Sequence, residues 1–422
     1  AMFIAMDASA AARPAVAARS SPHAGIGFRE FVALVAGLMA LNALSVDVML
    51  PALPTIAAAL DVANANDRQL VLGVYLAGFG AAQLVWGPLA DRFGRKTTLL
   101  AGLGLYAAAS VGAALAPSFT VLLAARLAQG LAAASTRVIA LAVVRDCYAG
   151  RAMGRVMSLV MMVFMIVPIL APGIGQLILL VAPWRWMFGL LLIGGGVMLC
   201  WVTRRLPETL HPEHRRRLRL GPLLAAYREA LTTRVTCGYM LALGVVFGAL
   251  FAFLTSAQQV LQEVFGLGLW FTVAFAGIAG LMSVASFTNA RLVARLGMRR
   301  LGHGALIGFT VLSAVQFALA AAGVEVFAVF FVLQAATFFL FGFIGANFNA
   351  LAMDPMGHIA GTAAALVGAT QMLVGAVLGS LVGQAYDGTA VPLTAGFALL
   401  GVATLAIVAV TERGRLMRAG AG

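Results

Sequence analysis

The chain has 422 residues, of which 62% are hydrophobic and 10% charged, against roughly 45–50% and about 25% in an ordinary soluble domain. A soluble globular protein, a disordered chain and a collagen-like chain are all excluded. The net charge of +13 would suggest nucleic acid in a soluble protein, so its meaning depends on where the basic residues fall relative to the apolar blocks.

Residues 1–28 are rich in Ala, Ser, Pro and Arg and hold no apolar run long enough for a signal-peptide core, so an uncleaved, disordered cytoplasmic tail is expected. Apolar blocks follow, each long enough to cross a hydrocarbon core that takes roughly 20 helical residues. Twelve spans are predicted, approximately 30–55, 69–90, 97–116, 119–144, 156–181, 185–204, 235–259, 269–290, 301–322, 326–351, 362–386 and 391–410. Turn-forming residues separate them at Asp61 to Asp67, Pro117-Ser118, Ala182-Pro183, Asp354-Pro355 and Asp387-Gly388. With the N-terminus in the cytoplasm, 24 of the 28 Lys and Arg residues fall on that side, only Arg68 and Arg185 fall on the other, and Arg126 and Arg137 remain inside spans. The positive charge is therefore a topology signal: both termini are expected in the cytoplasm, and nucleic-acid binding is not expected.

The long polar connection, 205–234, divides the spans six and six, and its basic residues suit a short amphipathic helix on an anionic inner leaflet. The halves echo one another. Arg92-Phe93-Gly94-Arg95-Lys96 after span two is matched by Arg295-Leu296-Gly297-Met298-Arg299 after span eight, 203 residues on. The predicted fold is an all-α polytopic membrane protein with six-helix bundles at 29–204 and 235–412, a central cavity between them and a tail at 413–422. Three cysteines, Cys147, Cys200 and Cys237, form no disulfide or metal-binding pattern and read as reduced packing residues.

Of the fifteen Asp and Glu residues, Asp47 alone falls inside a span. A carboxylate there costs at least about 2.5–3.5 kcal/mol on insertion scales, which makes it a functional candidate in need of a partner. Asp47 stands seven residues before Pro54 in span one and Arg126 seven residues after Phe119 in span four, so both lie roughly 10 Å below the outer surface and meet if those spans are neighbours. Arg137 follows Arg126 by eleven positions, on nearly the same helix face and about 16 Å deeper. Two readings stand for each arginine: Arg126 is the partner of Asp47 or tethers span four to its neighbours, and Arg137 faces an aqueous cavity or snorkels toward the cytoplasm.

The loop Gly87-Pro88-Leu89-Ala90-Asp91-Arg92-Phe93-Gly94-Arg95-Lys96 carries the most specific motif. Gly87 is read as allowing close helix approach and Gly94 a tight turn; Asp91, Arg92, Arg95 and Asp146 are read as a charge latch that holds one conformational state. Span five carries Pro168, Pro172, Gly173 and Gly175, and span eleven carries Gly375, Gly379 and Gly383 at four-residue spacing. These are packing devices that kink a helix or let a neighbour approach.

The loop after span two resembles the signature of the major facilitator superfamily, and Arg126-Leu127-Ala128-Gln129-Gly130 resembles that superfamily's span-four motif. The kinked span five is similar to the motif of its drug:proton antiporters, with Ala171 and Gln176 where Gly is usual. Ser45 to Pro54, Val144-Arg145-Asp146 and Ala360-Gly361-Thr362-Ala363 resemble the bicyclomycin and chloramphenicol/florfenicol resistance subfamily, which usually has a small neutral residue where Arg137 stands. The resemblance implies a proton antiporter of the bacterial inner membrane that exports small amphiphilic drugs, driven by the proton gradient without a cofactor. It places coupling on Asp47 and Arg126. Polar and aromatic residues within the spans give the cavity candidates Asn42, Tyr75, Gln83, Arg137, Met161, Met165, Phe253, Gln258, Asn347, Asn349 and Gln371, each with helix packing as its other reading.

The alternative function is transport of a specific, possibly anionic metabolite, favoured by Arg137. An enzyme is not expected, because no span carries paired carboxylates, a His-rich metal set or a Ser/His/Asp arrangement. The expected partners are a small-molecule substrate, protons and the lipid bilayer, with the protein working as a monomer.

Overall fold

A computed structural model describes residues 26–211, 213, 220–324 and 326–417, so most of both tails and the most basic stretch of the connection, 214–219, lie outside the described residues. Every predicted span has its helix, with ends within six residues of the expected ones. The first half holds α1 (Phe28–Asp47), α2 (Leu53–Ala59), α3 (Leu70–Phe93), α4 (Arg95–Ala114), α5 (Phe119–Cys147), α6 (Gly150–Val181) and α7 (Arg185–Arg205). The amphipathic connection contributes α8 (Leu220–Thr232), and the second half holds α9 (Arg234–Gln258), α10 (Phe271–Leu296), α11 (Met298–Ala321), α12 (Phe327–Met353), α13 (Ala360–Gln384) and α14 (Val391–Thr411). Long helices are the form such sequences take in lipid, since the backbone must satisfy its own hydrogen bonds there. Val181, Leu399 and Val410 are at least 70% exposed, as apolar side chains facing acyl chains would be.

The expected repeat is present at the level of packing. In the first half α1 contacts α5, α6 and α7, α3 contacts α5, and α4 contacts α5 and α7; in the second, α9 contacts α12, α13 and α14, α10 contacts α12, and α11 contacts α12 and α14. The halves meet through α3 against α13 and α6 against α10, two contacts that exchange when the halves are exchanged. The echoing loops are equivalent breaks: Gly94 (φ 98°) separates α3 from α4, and Gly297 (φ 80°) separates α10 from α11. A positive φ admits glycine without strain, which lets two long helices reverse at one residue.

Span one is not one straight helix. Pro51 has no N–H for the carbonyl of Asp47 and its ring crowds that carbonyl. The α-helix therefore stops at Asp47, and a short 3-10 turn (Leu50–Ala52) leads into α2. This break sets the geometry of the site.

Candidate functional site

Ending α1 at Asp47 leaves carbonyls of its last turn without helical partners. Arg126 on α5 answers them: its Nη2 donates to the Ser45 carbonyl at 3.0 Å, its Nε to the Val71 carbonyl of α3 at 3.0 Å and its Nη1 to Gln129 Oε1 at 2.6 Å. The guanidinium carbon sits 4.4 Å from the centre of the Tyr75 ring, and the whole side chain is fully buried. Gln129 in turn donates to Ser110 of α4, and Ser45 is hydrogen-bonded to the Tyr106 hydroxyl. Arg126 thus ties α1, α3 and α5 together, and through Gln129 also α4. The ion pair expected with Asp47 is not formed in this conformation, in which the guanidinium bonds Ser45, Val71 and Gln129. Asp47 is buried and makes no hydrogen bond or ion pair among the described residues.

The side opposite the basic loops is closed by a polar seam between the halves. Asn66 donates to the carbonyls of Gln384 and Tyr386 (3.0 and 2.8 Å) and accepts from Gln384 and Gln259. Gln69 bonds Gln259 and the Gly383 carbonyl, and Arg68 pairs with Glu263 at 2.5 Å. Apart from Gln83 Nε2 to the Gly368 carbonyl (3.4 Å), every hydrogen bond or ion pair described between the two halves lies in this seam. The basic-loop side carries no such direct bolt among the described contacts. There α8 bridges instead, with the Tyr227 hydroxyl on the Leu84 carbonyl and Glu229 on His358.

At the basic-loop end of the first half, Arg95 pairs with Asp91 at 2.5 Å and with Asp146 at 3.0 Å, and Thr209 donates to the same Asp146 oxygen. Glu208 accepts from the amides of Arg95 and Lys96, the first donors of α4. A carboxylate there meets both orphan N–H groups and the positive end of the helix dipole. These partners lie in the first half and in the start of the connection after α7, so the cluster ties the ends of α3, α4 and α5 to that chain and does not cross to the second half among the described contacts. Arg92 stands outside it, exposed over the ring of Phe93. Gly87 makes no close approach: a Cβ there would come no nearer than 3.8 Å to Val138. Both expectations are corrected by the angle at which each residue leaves the helix. The second half repeats part of the clamp, with Glu412 accepting from Arg299 (2.9 Å) and Tyr239 (2.6 Å). Burial raises the Glu412 carboxyl, but those two donors outweigh it and hold the group below the usual carboxylate range.

The family model described as Major Facilitator Superfamily matches residues 35–380. The chain belongs to that superfamily. A bicyclomycin resistance protein homolog of Haemophilus influenzae is 31% identical over 86% of this chain and 91% of its own length. A chloramphenicol resistance protein of Pseudomonas aeruginosa is 32% identical over 65% of each chain. Among solved structures, a D-xylose-proton symporter superposes with a TM-score of 0.70 over 93% of this chain and 99% of its own, at 14% identity. The protein is a multi-pass membrane transporter and not an enzyme.

In this superfamily architecture the cavity candidates separate. Phe253 is fully buried in the second half's aromatic core, its ring 4.9 Å from Phe338 and 5.7 Å from Phe275. Asn347 donates to Asn289 and the Phe343 carbonyl, which ties α12 to α10. Gln258 bonds Gln262 and Glu263 beside the seam, and Tyr75 is held under Arg126. These four are packing residues here, because each polar or aromatic group is already engaged within its own half. Asn42 bonds Thr136, and Gln83 reaches across to α13. Met161, Met165 and Arg137 are half-buried, Asn349 is exposed and Gln371 is buried without a hydrogen bond among the described residues. A described groove of about 440 Å³ between α10, α11 and α12 is lined by Leu281, Leu312, Phe331 and Phe339 and by none of these candidates. Sequence reading missed Glu208 and the seam. Glu208 follows α7 as Glu412 follows α14, 204 residues apart, and that repeat was the available signal. The seam amides had none.

Proposed function

We propose that the protein is a proton-coupled antiporter that exports small amphiphilic drugs or antibiotics across the bacterial inner membrane by alternating access, with the basic loops and both termini in the cytoplasm. The observation that carries the reading is Asp47: the one acid inside the spans, buried at a helix break, unpaired, and two residues from a carbonyl that Arg126 holds. A buried carboxyl with neither cation nor donor is neutralised by a proton, since an isolated charge in low dielectric is costly. With the seam closed, the cavity faces the cytoplasm. As the halves rock, the broken end of α1 gives Asp47 access to water from the other side, so proton uptake there and release inside drive substrate outward. The resistance named for the two bacterial relatives supports a drug-like cargo. The test is pH-gradient-driven export of chloramphenicol by reconstituted protein. Asp47→Asn should abolish gradient-driven export and the pH dependence of substrate binding, while leaving a folded protein; wild-type rates and stoichiometry in that variant would sink the mechanism.

A further inference from the structure

The interior of the first half holds two arginines, and they are treated in opposite ways. Arg126 has three acceptors and an aromatic face. Arg137 has no hydrogen bond, ion pair or ring contact among the described residues, yet it is half-buried and stands mid-helix. Its direction follows from its neighbours on α5. Glycine 130 abuts the Tyr75 backbone and Val138 faces Gly87, both on α3; Ser135 and Gln129 face α4; Thr136 bonds Asn42 on α1. Arg137 is within about 20° of Arg126 around the helix, in the sector between α1 and α3.

Snorkelling does not account for it. The predicted end of span four at 144 is seven residues on, about 10 Å away, farther than an arginine side chain extends. Nor is Asp47 its counter-ion here. Asn42 shares a level with Thr136, and Asp47 lies five residues farther along α1, about 7.5 Å toward the closed seam. Because Val138 faces Gly87, Arg137 lies about one helical turn toward the basic loops from Gln83, whose amide crosses to the Gly368 carbonyl of α13. No acid of the second half lies inside its spans to balance it.

We propose that Arg137 is the recognition group of the central cavity and that the protein's cargo includes amphiphilic organic anions, whose carboxylate or other planar oxyanion seats on its guanidinium. The planar fork fits two oxygens of one group, and in a cavity screened from bulk water such a charge-assisted pair is strong. An apolar body would lie against Met161 and Met165, which repack around different shapes. A lipophilic cation meets repulsion at the same point.

The inference rests on the exporter reading, so the test needs no gradient. Full-length protein in nanodiscs is titrated with carboxyfluorescein, an amphiphilic anion, and with ethidium, a lipophilic cation, following fluorescence anisotropy. The wild type should prefer carboxyfluorescein, and Arg137→Ser should lower the anion-to-cation affinity ratio by about tenfold or more, as loss of one charge-assisted pair requires. Arg137→Lys, which keeps the charge and loses the fork, should fall between. Should Arg137→Ser fail to fold, Arg137→Gln serves the same comparison. An unchanged ratio, or a wild type that binds no anion, overturns the proposal. Failure of gradient-driven export, with the wild type still preferring the anion and Arg137→Ser still losing that preference, would overturn the antiporter reading and leave Arg137 as the anion site.

Discussion

Arg126 carries a full charge inside the membrane with no carboxylate beside it. Two backbone carbonyls, an amide oxygen and an aromatic face replace the counter-ion, and one of those carbonyls, of Ser45, lies in the last turn of α1. Asp47 is the reverse case, a group with no partner in this conformation. The two should therefore fail differently. Arg126→Ala leaves the Ser45 carbonyl without its donor, removes the bonds to Val71 and Gln129 and should destabilise the fold by on the order of 3 kcal/mol, since hydrogen bonds to a charged group are worth about 1.5–3 kcal/mol each. Asp47→Asn removes no bond and should leave thermal stability in detergent near that of the wild type. A scan that finds both variants equally destabilised would mean that Asp47 has a structural partner in the ground state.

The elements divide into clamps that stay within one half and a seam that joins the two. The clamp of Asp91, Arg95, Asp146 and Glu208 holds the ends of α3, α4 and α5 and the chain after α7 as one body. Asp91→Asn should lower the transport rate at matched expression, because the bundle would rock less rigidly while its core stays intact. Glu208→Gln should act in the same direction and more weakly, since an amide oxygen still accepts from Arg95 and Lys96. Transport kinetics unchanged in both would reduce the cluster to a solvated ion pair, worth about 0–1 kcal/mol. The seam makes the opposite prediction. Breaking it with Arg68→Ala and Gln69→Ala should favour the state open on the far side, whereas Asn66→Cys with Gln384→Cys should cross-link under oxidant and stop transport until a reductant is added. A cross-linked protein that transports at the normal rate would show that the seam does not open during the cycle.

At the scale of the whole molecule, matching helix contacts in the two halves and contacts between them that exchange under the same operation describe two equivalent bodies around a pseudo-two-fold axis. On the proposed alternating-access reading such bodies rock about a central site, and the closed seam marks the side that opens in the other half of the cycle. The proposed orientation rests on the 24-to-2 division of basic residues. Cysteines introduced at Ala65 and Val324 should react with an impermeant reagent from outside intact cells, and one at Gly221 in α8 should not. External labelling at Gly221 would invert the assignment and with it the direction of export.

The sequence by itself determined the span positions, the repeat, the lone intramembrane acid and the two interior arginines. These depend on length, hydropathy and charge along one chain, and a bilayer imposes its constraints segment by segment. The two glycine breaks were legible for the same reason, since each follows from local backbone geometry. Only the tertiary structure decided partners. Depth matching brought Asp47 and Arg126 to one level but could not see that a free helix-end carbonyl would take the guanidinium. Asn66, Gln69, Gln259 and Gln384 look like ordinary span-end amides until the halves close. Phe253 and Asn347 are mid-span residues whose facing, toward the core of their own half and not the cavity, is set by helix rotation. Hydropathy fixes how far along the membrane normal a residue lies; the angle around its helix, and so what it touches, is settled by packing between helices distant in sequence.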